Sequence, residues 1–427
     1  MAASDDDHEE GSTGLDMFCG IDWAEDHHDV ALAGRDGQLL ARRRISDDAA
    51  GLAQLLELLA EHGDSPADPV PVAIETPRGL LTACLRATGR PVYPINPLSV
   101  ARYRDRHTVA GRKSDHGDAV VLANILRTDR AVHRPLPADS ELAQAIAVLA
   151  RAQQDAVWDR TTAHNKLRSH LREYYPGFLV AFADAYRGIL RAEARVILAA
   201  APTPADAARL TLAQLRALLK RAGRARGIDA EAARLRGAFR QPQMRQLPLV
   251  EQAMGRQALA LLRQLDAACA AAADLEQAAV ESFNQHPDAG LITSFPGLGA
   301  LTGARVLGEI GDDRSRFADA QGLKAYAGAA PVTKASGKTR TVQHRRVKNQ
   351  RLASAGYNWA FSALTASPGA RAHYDRRRAA GDRHAAAERN LFNRLIGCLY
   401  YCLATSQPYD EHTAFPPPAQ PHNAIAA

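Results

Sequence analysis

Four carboxylates, Asp22, Glu75, Asp115 and Asp118, are the residues whose types and spacing carry the most chemistry in this chain. Asp22 closes the apolar run Met17-Phe18-Cys19-Gly20-Ile21, and Glu75 closes Val70-Pro71-Val72-Ala73-Ile74. Asp115 and Asp118 open a helical stretch, and residues at that spacing share one helix face. A single acid at a strand end is most often structural. Four in these slots, the last two beside Arg112 and Lys113, predict a shared ion. Converging carboxylates suit Mg²⁺, a hard cation that takes oxygen ligands and is often completed by substrate phosphates. The chemistry predicted is on phosphodiesters. Asp26 and Asp29 read as surface residues or turn caps. His27 and His28 have no Cys or His partners at ligand spacing, so zinc is set aside.

A second constellation is Thr333-Lys334-Ala335-Ser336-Gly337-Lys338-Thr339-Arg340. Its Ser-Gly-Lys-Thr resembles a phosphate loop, but the position that loop reserves for its first glycine is Val332. An ATPase reading is therefore poor. The alternative is Ser336 as a nucleophile. A serine hydroxyl is weak until a base, a metal or positive charge favours its alkoxide. Lys334, Lys338, Arg340, Arg345 and Arg346 are the cations that would stabilise charge on a pentavalent phosphorus. Without further support, a Ser-Gly in a basic loop is an ordinary turn.

Fold class follows from the elements that must position these groups. Strands are predicted over 17–23, 28–34 and 38–45, the last two joined across Arg35-Asp36-Gly37, a hairpin signal. An amphipathic helix over 49–62 presents Leu52, Leu55, Leu56 and Leu59. A strand at 70–75, a helix at 78–88, a strand at 91–95 and helices from about 97 and 115 follow. Three antiparallel strands and then alternating helix and strand is the order of an RNase H-like α/β fold. Residues 140–173 and 249–285 read as two long helices bracketing shorter ones, a helical or coiled-coil arm suited to oligomerisation. Ser294-Phe295-Pro296-Gly297-Leu298-Gly299 before a helix at 300–310 has the helix–hairpin–helix signature. Gly297 and Gly299 would let backbone amides approach a phosphate. The predicted domains are 16–139, 140–289 and a mainly helical 290–406, between unstructured tails at 1–15 and 407–427.

The chain has 427 residues and a net charge of +6, and the charge is unevenly placed. Acids crowd the first ten residues, while Arg and Lys crowd 100–113 and 334–351, the latter including Lys348 and Arg351. Either basic run alone is commonly a solvated face; two runs beside candidate catalytic motifs suit a polyanion. Cys19, Cys84, Cys269, Cys398 and Cys402 form no zinc or disulfide pattern, which fits a reducing compartment. With neither a secretory segment nor a membrane span, the reading is a cytoplasmic, nucleoid-associated bacterial protein.

Taken in order, Gly20-Ile21-Asp22, Asp29-Val30-Ala31-Leu32, Ile74-Glu75, Ile95-Asn96-Pro97 and Lys113-Ser114-Asp115-His116-Gly117-Asp118-Ala119 resemble the DEDD-type insertion-sequence transposases. So do Phe295-Pro296-Gly297-Leu298-Gly299, Tyr326-Ala327-Gly328-Ala329-Ala330-Pro331, Ser336-Gly337-Lys338 and Lys348-Asn349-Gln350-Arg351-Leu352. The resemblance spans roughly 17–405. It implies a RuvC-like RNase H domain, a coiled-coil segment and a C-terminal transposase domain with a nucleophilic serine. On that resemblance Asp22, Glu75, Asp115 and Asp118 hold Mg²⁺ and Ser336 attacks the scissile phosphate. It also implies donor and target DNA, a structured bridge RNA, and a dimer or tetramer whose active site is shared between protomers. The chain departs from the family pattern at Ser114, where threonine is common, and at Lys338, where a second glycine is common. Two rivals stand beside this reading. One is a metal-dependent nuclease or junction resolvase in which water attacks. The other is a catalytically idle nucleic-acid-binding protein, which the presence of all four acids disfavours.

Overall fold

The computed structural model describes residues 17–107, 115–183, 188–337 and 339–416, and the chain divides into two units, before and after Asp139. The predicted tail at 1–15 lies outside the described residues.

The first unit is built on one sheet in the order β3-β2-β1-β4-β5. Strands β1 (Met17–Trp23), β2 (His27–Gly34) and β3 (Leu39–Ser46) are antiparallel neighbours, while β4 (Val72–Ile74) and β5 (Val92–Pro94) run parallel to β1. Alternation along each strand sorts side chains to two faces. Cys19, Ile21, Val72 and Ile74 join Leu55, Leu58 and Leu59 of α1 (Ala49–Glu61) and Leu81 and Leu85 of α2 (Leu80–Ala87) in one core. On α1 it is Leu58, not the expected Leu56, that is fully buried, because the core-facing stripe is centred one residue round the helix. Asp48 caps that helix through the Gly51 amide at 2.8 Å. Phe18 and Ala73 face the other way, toward Val100 of α3 (Pro97–His107) and Leu122, Ile125 and Leu126 of α4 (Asp115–Asp129).

The second unit is helical except for one hairpin. Its longest elements, α5 (Glu141–Tyr174) and α11 (Pro248–Asn284), run antiparallel. His170 near the end of α5 bonds the Met254 carbonyl near the start of α11 at 2.8 Å, while Ile146 and Phe283 share a core at the other end. Between them come α6 (Pro176–Ala181), α7 (Ala192–Ala200), α8 (Pro204–Arg209), α9 (Leu212–Arg221) and α10 (Ile228–Phe239). These pack with one end of the long pair around Tyr174, Tyr175, Phe178 and Phe239.

At the other end α12 (Ala289–Thr293), α13 (Ala300–Ile310) and α14 (Ala320–Tyr326) precede the antiparallel strands β6 (Val332–Ser336) and β7 (Thr339–Gln343). Helices α15 (Gln350–Ala366), α16 (Pro368–Ala379), α17 (His384–Thr405) and α18 (Glu411–Ala414) complete a core centred on Trp359, Phe295 and Phe392. The expected unstructured tail from Gln407 is corrected for residues 407–416. Glu411 accepts from Ser367 Oγ at 2.7 Å, the Gly369 amide at 2.8 Å and Tyr409 Oη at 2.6 Å, which ties the segment to α16. No helix among the described residues is long and apolar enough to cross a membrane.

Candidate functional site

Asp22 and Glu75 stand at matching ends of neighbouring parallel strands. Gly20 pairs with Ala73 and Ile21 with Ile74, so the next residues along carry the two carboxylates, both half-buried, to one sheet edge. Carboxyl ends of parallel strands are where open α/β sheets present their ligand sites. Asp22 shares a face with Phe18 and Gly20, and Glu75 with Ala73, which is the face that α4 covers. Gly20 explains how closely. A Cβ there would meet the Ala119 carbonyl at 2.0 Å and the Ala123 amide at 2.5 Å, so only glycine lets α4 lie on β1. Asp118 sits one residue before Ala119, in the first turns of that helix.

Asp118 is buried, and its carboxylate is ion-paired to Arg104 of α3. Asp115 begins α4, but its side chain, like Arg112 and Lys113, lies outside the described residues. Asp22, Glu75 and Asp118 thus lie toward one face of the sheet, but among the described residues no three acids, histidines or cysteines come together into a group that could hold a metal ion. A fifth acid belongs with them. Asp29 is not a surface residue or turn cap: it is 5% exposed, directly opposite Asp22 on β2. Arg44, its partner on β3, grips both oxygens at 2.9 and 2.8 Å, which neutralises a charge that would repel Asp22. The clue in sequence was its period-two spacing with Ala31 and Ala33 on the α4 face. His28 is buried against Asp47 at 3.1 Å and stacks on Trp23.

In the second unit, the basic segment expected to be irregular forms the β6–β7 hairpin. Ser336 pairs with Thr339 across a two-residue turn, and Gly337 takes φ +54° there. Lys338 lies outside the described residues. The hairpin was illegible because both of its faces are exposed, so no buried alternation marks it. Ser336 is exposed at the tip, with Lys334 and Arg340 on the flanking strands.

The base of the hairpin is fixed. The Asn349 amide donates to the Tyr326 carbonyl at 2.8 Å, bringing the chain before β6 against the chain after β7. Asn349 Nδ2 donates to Glu309 Oε2 at 2.6 Å and to Tyr326 Oη at 2.7 Å, and its Oδ1 caps α15 through the Leu352 amide at 2.9 Å. Glu309 is buried and is held by Arg151 of α5 at 2.7 and 3.0 Å. Gly328, at φ +70°, leaves the space that the Lys348 stem fills.

The remaining predicted contacts divide. Arg351 is engaged within the fold: it grips Asp155 at 2.8 and 2.9 Å and lies over the Trp158 ring at 5.1 Å. Gly297, at φ +75°, permits close approach, but the approach is to α15, where a Cβ would meet the Ala363 amide at 2.5 Å. Gly299 is exposed at the start of α13. Arg345 and Arg346 follow β7. His344 beside them is held below the usual imidazole range by desolvation and by the cations Lys348, Arg389 and Arg346.

Comparison with known proteins adds two family matches. Residues 19–176 match a DEDD transposase model, and residues 289–375 match a model described as "Transposase IS116/IS110/IS902 family". The chain is 64% identical over 403 residues to the mini-circle putative transposase for IS117 of Streptomyces coelicolor, covering 94% of this chain and 97% of that one. It is 29% identical to the insertion element IS900 uncharacterized 42 kDa protein of Mycobacterium paratuberculosis, covering 93% and 98%. A putative transposase of Sinorhizobium fredii is 36% identical over 50% of this chain and 58% of its own.

Proposed function

Because the chain belongs to the IS110/IS116 family of DEDD transposases, we propose that it exchanges DNA strands through a phosphoserine intermediate formed by Ser336. The observation that supports the metal-dependent half of this reading is the β1–β4 register, which ends at Ile21 and Ile74 and so puts Asp22 and Glu75 next along adjacent strands, under the helix of Asp118. In chemical type the donor set would suit Mg²⁺, being all carboxylate oxygen, with Asp115 proposed as the fourth ligand. Asp22, Glu75, Asp115 and Asp118 would hold the ion, which would supply charge neutralisation to a phosphoryl group.

Ser336 Oγ bonds to phosphorus while the P–O3′ bond breaks, and its electron pair leaves on O3′, which takes up a proton. A 3′ hydroxyl from the second strand then attacks the phosphoserine, releases the serine and restores a phosphodiester. One ester replaces another, so no nucleotide cofactor is required. Lys334, two residues before Ser336 on the same face of β6, would offset charge on the pentavalent phosphorus, whereas Arg340, opposite Ala335, lies on the other face of the hairpin. Donor and target DNA are the substrates, with a structured RNA and a homo-oligomer as the family's mode of assembly.

The test is adduct trapping. With DNA and Mg²⁺, the chain should form a protein–DNA adduct that Ser336→Ala abolishes without loss of DNA binding. Asp22→Asn should also abolish it, with a loss on the order of 10³-fold or more. A second reading, in which water attacks and the enzyme is a nuclease or junction resolvase, is favoured by one observation. Ser336 Oγ has no hydrogen-bonded base among the described residues. Cleavage by the Ser336→Ala variant without adduct would establish that alternative.

A further inference from the structure

One stripe of α17 lines an open cavity of about 900 Å³, walled on its other sides by α14, α16 and residues 407–414. Asn393, Arg394, Gly397, Cys398 and Tyr401 recur at three- and four-residue spacing, which puts them on that one face of the helix. Ligand sites are typically preformed hollows of roughly 300–1,000 Å³, with a largely apolar lining and a few converging polar groups.

The polar groups at one end are cations. Gly397 lets Lys324 cross α17: a Cβ there would meet Nζ at 2.8 Å, so the lysine stem lies against the helix backbone. Its ammonium borders the cavity and has no ion pair among the described residues. Arg394 is anchored through Nε, which donates to the Ala414 carbonyl at 2.6 Å, while its guanidinium lies over the Phe415 ring at 5.6 Å. The two terminal nitrogens of this exposed arginine have no acceptor among the described residues. Asp410 is the one acid among the described lining residues, and its carboxylate already accepts from the Thr413 amide at 2.7 Å. Burial raises the pKa of Cys398 and Cys402, which keeps these wall thiols neutral.

The other end is aromatic. Tyr401 is 62% exposed although it lines the cavity. Seven residues, about 10 Å along the helix, separate it from Arg394, and Lys324 crosses between them at Gly397. An open ring at that distance from two unpaired cations suits the two ends of one nucleotide, because aromatic rings stack on bases and cations take phosphate. A base within a duplex is already stacked on both sides, so the nucleotide must be unpaired.

We infer that this cavity binds one unpaired nucleotide, its phosphate held by Lys324 and Arg394 and its base stacked on Tyr401. None of these residues belongs to the serine hairpin, so the inference stands apart from the phosphoserine reading.

The experiment measures binding to the full chain by calorimetry. The probes are thymidine 5′-monophosphate, thymidine, inorganic phosphate and single-stranded octathymidylate. The variants are K324M, which keeps the stem over Gly397, Y401A, which removes an exposed ring, and K220M, a control with the same charge change on α9. Unchanged melting temperatures establish that each is folded. The monophosphate should bind about tenfold or more tighter than thymidine or phosphate alone, and K324M and Y401A should each weaken it about tenfold, with K220M without effect. If only the octamer binds, and the same two variants weaken it, the nucleotide is one carried by a strand. Phosphate binding as tightly as the monophosphate would reduce the cavity to an adventitious anion site and overturn the inference. Binding that K324M and Y401A leave unchanged, or that K220M weakens equally, would overturn it too, as would no binding of either the monophosphate or the octamer.

Discussion

Arg104 of α3 and Asp118 of α4 form an ion pair on the face of the sheet that Asp22 and Glu75 share. A guanidinium and a metal ion compete for one carboxylate, so Arg104 would have to give way if Asp118 were to hold a cation. Replacing Arg104 by Met leaves a buried carboxylate without its counter-charge. In EDTA this should destabilise the chain by about 1–3 kcal/mol, less than for a fully buried pair because Arg104 is partly exposed. Mg²⁺ should then raise the melting temperature more in R104M than in the parent, since the folded state gains a ligand without losing a competitor. Equal Mg²⁺-induced shifts in the two proteins would mean that Asp118 is not a ligand.

Gly20 sets how closely α4 lies on β1. A methyl group there meets backbone atoms of Ala119 and Ala123, which cannot rotate away. Gly20→Ala should lower the unfolding free energy by about 3 kcal/mol in urea titrations. An unchanged midpoint would show that α4 shifts freely and that Asp118 has no fixed position.

Asn349 joins α15, Glu309 and Tyr326 through one side chain. Asn349→Ala removes a helix cap and leaves the buried Glu309 one donor short, for an expected loss of about 2–4 kcal/mol. Limited proteolysis should cut the variant first within 332–347, the segment whose two ends this residue holds together. Cleavage distributed as in the parent would separate Asn349 from the hairpin.

Acid stability follows from Glu411. Burial raises its pKa, but bonds from Tyr409, Ser367 and the Gly369 amide outweigh that and hold it below the ordinary 4.5. A depressed carboxylate stabilises the fold above its unfolded pKa, and that contribution disappears as pH falls through the folded value. The melting temperature should therefore drop on acidification below about pH 4.5, more steeply in the parent than in Glu411→Gln. Parallel curves would assign the acid sensitivity elsewhere.

Much of the first unit was legible because its signals are local. The three opening strands alternate or run apolar between turn residues, and the hairpin at Arg35-Asp36-Gly37 needs a positive φ that Gly37 supplies at +82°. The two long helices were legible because neither has a proline in its interior and Ser140 and Pro248 stand at their starts. The β6–β7 hairpin was not, since nothing in Thr333-Lys334-Ala335-Ser336 distinguishes an exposed strand from a basic loop. Asp29 was misread because burial of an acid depends on its counter-ion, Arg44, which arrives from another strand.

Sequence alone determined which acids end strands, where the two long helices begin and end, and that Ser336 stands in a basic turn, because each depends on neighbours along the chain. Only the tertiary structure decided which charges are already matched. Asp118 is paired with Arg104, Arg351 with Asp155, and Glu309 with Arg151 and Asn349. The physical reason is that a charge buried in folding must find a partner within hydrogen-bond reach. Residues distant in the sequence supply those partners, and no local pattern encodes them.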